Sequence, residues 1–266
     1  MFNFNFYTPT RVVFGKETEY RIGKLVKNVN CKKVLLHYGS GSVIRSGLLG
    51  RIKESLDASG VTYVELGGVV PNPRLSLVRE GIELCRKEGV DFLLAVGGGS
   101  TIDSSKAIAA AMRCKDDIWD YYLYDDKPIE GALPVGVVLT IPAAGSESSD
   151  SSVITNEDGN YKRYIGGECL IPKFAFMNPE VTFTMPPHQI ANGCSDIVAH
   201  LMERYFTRVK HVDFTDRLIE GAIRTILYHG PMALENPTDY DVRAEIMWAG
   251  TVAHNNLLNT GRIGDW

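Results

Sequence analysis

Between Asp91 and Met112 the chain reads DFLLAVGGGSTIDSSKAIAAAM. Asp91 to Val96 is a short, almost wholly apolar run, the pattern of a strand covered on both faces. From Ile102 onward the spacing is helical, with Ala and Ile filling one face and Asp103, Ser104 and Lys106 breaking it. The same texture recurs: strands are predicted at 32–38 (KKVLLHY), 61–66 (VTYVEL), 91–96 and 135–142 (VGVVLTIP). Helices are predicted up to Leu56, over 75–88 and after Ile102. Strands separated by helices of this length predict a parallel, doubly wound, Rossmann-like α/β sheet. From about Thr184 the texture changes to three helical segments without strands, beginning PPHQIANG, FTDRLIEG and YDVRAEIM. The organisation predicted is an α/β domain over 1–183 followed by an all-α domain over 184–266. Three helices with strong apolar faces need further partners to bury them. The sequence ends at GRIGDW soon after them, so the helical domain is expected to be incomplete.

Ligands of such sheets sit beyond the carboxyl ends of the strands. GSGS at 39–42, GGGS at 97–100 and TIPAAGSESS at 140–149 all fall at those ends. Gly97, Gly98 and Gly99 carry no side chains, so a ligand or another backbone can come close. The helix that follows points its first N–H groups at that space, an arrangement suited to phosphate. Three small-residue loops converging on one edge predict a nucleotide site.

Composition narrows the class. The 266 residues are 44% hydrophobic and 23% charged, with a net charge of −4, so neither nucleic acid nor a membrane surface is expected as a partner. No apolar stretch approaches the roughly 18 residues a spanning helix needs. The start, MFNFNFYTPTR, lacks the basic-then-apolar order of a signal peptide. Five scattered cysteines without a CxxC pair read as reduced thiols in the cytoplasm. In MFNFNFYT the rings of Phe2, Phe4 and Phe6 alternate with Asn3 and Asn5, which predicts an edge strand. Its aromatic face must be covered, by a second copy in a homodimer or by a hairpin onto its own sheet.

A second constellation lies in the first helix of the all-α part. Asp196 and His200 stand at i and i+4, on one helical face. They can each give a ligand to a divalent metal, or simply bond to one another on a solvated face. Two ligands do not hold a metal firmly. His188, His211 and His229 are left unassigned; His254 lies on a helix that could reach the same cleft. No Ser–His or Cys–His pair has the spacing of a covalent catalyst.

Taken together, YGSGSV (38–43), PNP (71–73), LAVGGGSTIDSSK (94–106), TIPAAGSESS (140–149), TMPP (184–187) and ANGCSDIVAH (191–200) resemble the iron-containing alcohol dehydrogenase family. The similarity runs the length of the chain and is closest to the NADPH-dependent butanol or aldehyde dehydrogenase branch. It implies the two-domain plan of dehydroquinate synthase-like enzymes. It also implies a hydride exchange between NADP(H) and a small primary alcohol or aldehyde such as butanol or butanal. Gly97, Gly98 and Ser100 would hold the pyrophosphate, with Asp103 behind them ordering the loop. Gly39, Ser40 and Ser42 would meet the adenosine ribose, where the absence of an acid favours a 2′-phosphate. Thr140 and Ser146 would line the cleft, and Lys162, Thr182 and Met185 would border the cofactor from the far wall. Asp196 and His200 match two of the family's four ligands for iron or zinc; the other two, both histidines, would fall beyond residue 266. The resemblance extends to pairing of the N-terminal segments in a homodimer. A cofactor-binding protein without catalysis, or a glycerol dehydrogenase-like polyol oxidoreductase, are the competing readings.

Overall fold

The computed structural model describes residues 1–39, 41–124 and 127–262. Six strands, β1 (Arg11–Phe14), β2 (Lys33–Gly39), β3 (Thr62–Val69), β4 (Phe92–Gly97), β5 (Val135–Leu139) and β8 (Phe174–Met177), form one sheet in the order β1-β8-β5-β4-β2-β3. All its pairings are parallel. Two further strands, β6 (Ser151–Asn156) and β7 (Tyr161–Gly166), make an antiparallel hairpin. The helices interleaved with the sheet are α1 (Ile22–Asn28), α2 (Ser42–Arg45), α3 (Leu48–Ala58), α4 (Leu75–Glu88), α5 (Gly99–Ala111) and α6 (Ile118–Leu123). Three longer ones follow: α7 (Pro187–Tyr205), α8 (Asp213–Glu235) and α9 (Tyr240–His254).

Strand β4 shows why the sheet is covered on both sides. Leu93 and Ala95 join an apolar cluster with α4 and α5, whereas Phe92, Leu94 and Val96 join the cluster against α1 and α3. Period-two alternation sends neighbours to opposite faces, so a wholly apolar run fills two cores at once. A third cluster runs from Met185 to Leu258, built from Ile190, Ile197 and Leu201 of α7, Ile219 and Ile226 of α8, and Ile246 of α9. Ile141, from the loop after β5, packs against it. Met247 of α9 reaches the other way, into the core of the sheet.

Four strands go beyond the predicted ones. β1 and β8 are four-residue strands, RVVF and FAFM, and such short runs carry too little periodicity to separate a strand from a turn of helix. The hairpin alternates polar side chains, most of them exposed on β7. Helix α5 begins at Gly99, three residues before the predicted start, because the glycine turn is itself wound into its first turn. β5 ends at Leu139, earlier than residue 142. The alternating segment MFNFNFYT is not a strand here: residues 1–10 pair with no sheet, and Phe2, Phe4 and Phe6 are 51%, 51% and 45% exposed. The tip of this segment is tied to the far end of the molecule, Phe2 N–H donating to Gly261 O at 2.9 Å and the Met1 ammonium to Lys210 O.

Candidate functional site

β5, β4 and β2 are adjacent and parallel, so Leu139, Gly97 and Gly39 end on one edge of the sheet. The Thr140 amide donates to Gly97 O at 3.0 Å, closing the edge. The three glycines divide the work. A Cβ on Gly97 would lie 2.4 Å from Thr101 Oγ1, and one on Gly98 would lie 2.9 Å from Ile141 Cβ; these two permit the turn to be tight. A Cβ on Gly99 would meet only Ala144 Cβ, at 3.9 Å. Gly99 therefore faces open space at the start of a 13-residue helix, where the first N–H groups lack intrahelical acceptors. This cradle, with Ser100 in the first turn, fits a phosphate group.

The other expected contacts divide into those at the opening and those inside. Ser42, Thr140 and Met185 line one recess together with Ile141, Thr184 and Gln189. Gly39 ends β2, and Ser40 lies outside the described residues. Lys162 is exposed on β7, opposite Thr155, and its charge reaches the Asp103 carboxylate. Ser146 and Thr182 do not open on the recess. Ser146 is buried and donates to Asp103 Oδ1 at 2.6 Å. Thr182 is sealed inside, donating to Pro179 O and accepting from Arg243 Nε. Both serve the framework in this structure, because their hydroxyls are consumed by interior partners.

Behind the glycine turn lies a buried polar cluster. The Asp103 carboxylate accepts from Ser146 and from the Val153 amide, and its own carbonyl accepts from Ser152. Lys106 Nζ donates to Ser149 O at 2.8 Å and Ser151 O at 2.9 Å, with longer contacts to Ser146 and Ser149 hydroxyls. Burial pulls the Lys106 ammonium down to about 8 against the opposing pull of Asp103, Glu147 and Asp150. Burial likewise pushes the Asp103 and Glu147 carboxyls up. Glu147 reaches across to α9, accepting from Thr251 Oγ1 at 2.5 Å. The loop 140–149 is thus pinned to α5 on one side and α9 on the other. Small residues let it in: a Cβ on Gly193 would lie 2.7 Å from Pro142 O, and one on Gly145, at φ +64°, 2.6 Å from His254 Cβ.

Asp196 and His200 do stand together on α7. His200 Nδ1 lies 2.8 Å from Asp196 O and 3.7 Å from Asp196 Oδ1. A backbone carbonyl only accepts, so Nδ1 carries the ring proton and Nε2 is the basic nitrogen, the one a metal takes. His254 packs against this ring, centroids 4.9 Å apart in a T-shape, and lies 2.7 Å from Arg204 Nη2. Burial first, then the Arg204 charge, holds His254 down at about 3. Among the described residues no group of three or more His, Cys, Asp or Glu side chains is placed to hold a metal. Asp196 and His200 fit a metal as two ligands of a set, one anionic oxygen and one imidazole.

Lys106, Glu147, Arg204 and Arg243 were not singled out from the sequence. For Lys106 a signal existed: it is the one cation in a helix whose other residues are small, hydroxylic or apolar apart from Asp103, as on a buried helix. The two arginines occupy ordinary amphipathic positions, and only packing shows that they are buried.

Comparison with known proteins extends this geometry. Residues 9–179 match the family model of iron-containing alcohol dehydrogenases, and residues 190–264 match the C-terminal model of the same family. NADH-dependent butanol dehydrogenase B of Clostridium acetobutylicum is 40% identical over 266 residues, and NADPH-dependent aldehyde reductase YqhD of Escherichia coli is 40% identical over 268. Each match covers 100% of this chain and 68% of the relative. The crystal structure of NADH-dependent butanol dehydrogenase A from Thermotoga maritima superposes with a TM-score of 0.96 at 41% identity, covering 98% of this chain and 65% of that one. The chain therefore spans about two thirds of the length of these relatives. With two family models matched in order and a shared fold, the chain belongs to the iron-containing alcohol dehydrogenase family.

Proposed function

We propose that this protein is a metal-dependent alcohol dehydrogenase or aldehyde reductase, exchanging hydride between NADP(H) and a small primary alcohol or aldehyde such as butanol or butanal. The observation that carries the reading is the double contact of the loop 140–149. Its Thr140 and Ile141 line the recess beside the glycine cradle, and its Gly145 lies against His254, next to His200. One loop thus connects a phosphate-binding edge to the imidazole cluster. When bound, the nicotinamide supplies the hydride, and iron or zinc supplies Lewis-acid polarisation of the carbonyl oxygen.

The chain's own residues have separable tasks. The Gly99 and Ser100 amides hold the pyrophosphate without a side-chain charge. Asp103 and Lys106 keep the loop in place from below. Asp196 and His200 present an oxygen and a nitrogen to a metal. Met185 and Ile141 give the recess apolar side chains. NADP(H) is favoured over NAD(H) because Gly39 offers no carboxylate, and the Arg45 guanidinium folds over Gly41, where a Cβ would lie 2.7 Å from its Nη1. The names of the relatives include both NADH and NADPH dependence, so this part of the proposal rests on the chain's own residues.

A homodimer, resident in the cytoplasm and without nucleic-acid or membrane partners, completes the proposal. Among the described residues no helix is long and apolar enough to cross a membrane. β1 is an edge strand with a groove along it lined by Arg11–Phe14, Arg21, Lys24 and Leu25, and Phe2, Phe4 and Phe6 are exposed in the segment that precedes it. Fluorescence titration with NADPH and NADH tests the core of the reading. Tighter binding of NADPH is expected; failure of both to bind would overturn it.

A further inference from the structure

We infer that His254 is a hydrogen-bond donor to the substrate's oxygen, fixed in that role by Arg204. The inference deepens the dehydrogenase reading and rests on it. His254 closes α9, and its Nδ1 lies 2.7 Å from Arg204 Nη2. A guanidinium stays charged and has only donors, so Nδ1 must accept. The proton of the neutral ring therefore sits on Nε2. His200 is locked the opposite way, since its Nδ1 donates to the Asp196 carbonyl. Two imidazoles with centroids 4.9 Å apart thus carry opposite chemistry at Nε2: His200 a basic nitrogen, His254 an N–H.

An Nε2–H cannot ligate a metal, but it can bond to an oxygen. His254 therefore does not supply a third ligand to the Asp196–His200 pair. Arg204 is the ring's one hydrogen-bond partner among the described residues, and it binds through Nδ1 alone. A carbonyl oxygen gains negative charge as its carbon takes hydride, and a preset neutral donor stabilises that charge. The carbonyl π pair moves onto oxygen, solvent water supplies the proton that completes the alcohol, and His254 keeps its own.

Arg204 is the positioning residue of the pair. It is 5% exposed and ties the His254 ring to the backbone of α7, Nη1 donating to the His200 carbonyl at 2.7 Å while Nη2 holds His254. Its own carbonyl accepts from Arg262 Nη1 at 2.9 Å, which fastens the end of α7 in turn. Gly145 packs so close to His254 that a Cβ there would lie 2.6 Å from the His254 Cβ, which confines the residue from the loop side.

The test combines tautomer and binding. Long-range ¹H–¹⁵N correlation spectra should show His254 protonated at Nε2 alone, and Arg204→Met should release the other tautomer. With NADPH bound, 1-butanol forms a non-reacting ternary complex, and its addition should shift the His254 Nε2–H signal. His254→Phe should weaken 1-butanol about tenfold, the worth of one hydrogen bond, while His254→Gln, whose amide N–H occupies the Nε2 position, should stay within about threefold. NADPH affinity should be unchanged in both variants, which separates a lost donor from a damaged fold. A ring protonated at Nδ1, or a Phe variant that binds 1-butanol as the wild type does, would overturn the donor role. Failure of the wild-type chain to bind NADPH would instead sink the dehydrogenase reading. NADPH binding with an unmoved His254 signal would sink the donor assignment alone.

Discussion

His37 sits fully buried in β2, its Nδ1 2.7 Å from Leu66 O and its Nε2 2.8 Å from Ser104 Oγ. Burial lowers it from 6.5 to about 4. The unfolded chain therefore takes up this proton below about pH 6.5 and the folded chain only near 4. Because the unfolded state binds more protons in that window, stability rises with pH across it and is lost as pH falls. The expected loss between pH 6.5 and 4 is about 3 kcal/mol, absent from His37→Gln, whose stability should follow a flatter acid limb in urea unfolding. Equal slopes for the two proteins would refute the assignment. At the same scale, Gly39→Asp should shift binding from NADPH towards NADH by repelling a 2′-phosphate, a reversal read directly from paired titrations. Position 39 was legible in the sequence because it ends a clear strand. Ser146 and Thr182 were not, since a hydroxyl's destination depends on partners such as Asp103 and Arg243 that lie 43 and 61 residues away.

Among the elements, legibility followed length. The 19, 23 and 15 residues of α7, α8 and α9 give enough turns for periodicity to speak, and each begins within about a residue of its predicted segment. The pair β6 and β7 escaped, because its strands draw their order from α5 and from the Arg74–Thr155 bridge and not from an apolar face of their own. The loop 140–149 is the element on which the site turns. Gly145 combines a left-handed backbone with a contact that leaves no room for a methyl group. Gly145→Ala should cost about 1–3 kcal/mol in chemical unfolding, from backbone strain and the clash with His254. It should also displace the His254 ring, seen as a change in its imidazole resonances. A variant as stable as the parent, with those resonances unmoved, would show that the loop does not set the ring.

At the scale of the whole molecule, expectations follow from the exposed apolar surface and from the two proposed metal ligands. Phe2, Phe4 and Phe6 are exposed and β1 is an edge strand, and a second copy docked on these two features would cover both. Light scattering should give twice the chain mass at micromolar concentration, and Phe4→Asp should return a monomer that still binds NADPH. A wild-type monomer would end the dimer proposal. The metal follows from counting ligands. Asp196 and His200 are two, Arg204 keeps His254 from being a third, and no described cluster supplies one. Stable catalytic sites use at least three protein ligands. Residues 1–266 should therefore bind NADPH yet lose iron or zinc on gel filtration and reduce butanal negligibly. Asp196→Ala should remove what weak metal affinity remains while leaving NADPH binding intact, since the residue lies on α7 and the glycine cradle at the start of α5. Elemental analysis before and after dialysis decides the matter. Stoichiometric metal retained by residues 1–266 would require a third ligand, and the first place to look would be His254, with its ring released from Arg204 and turned to offer a bare nitrogen.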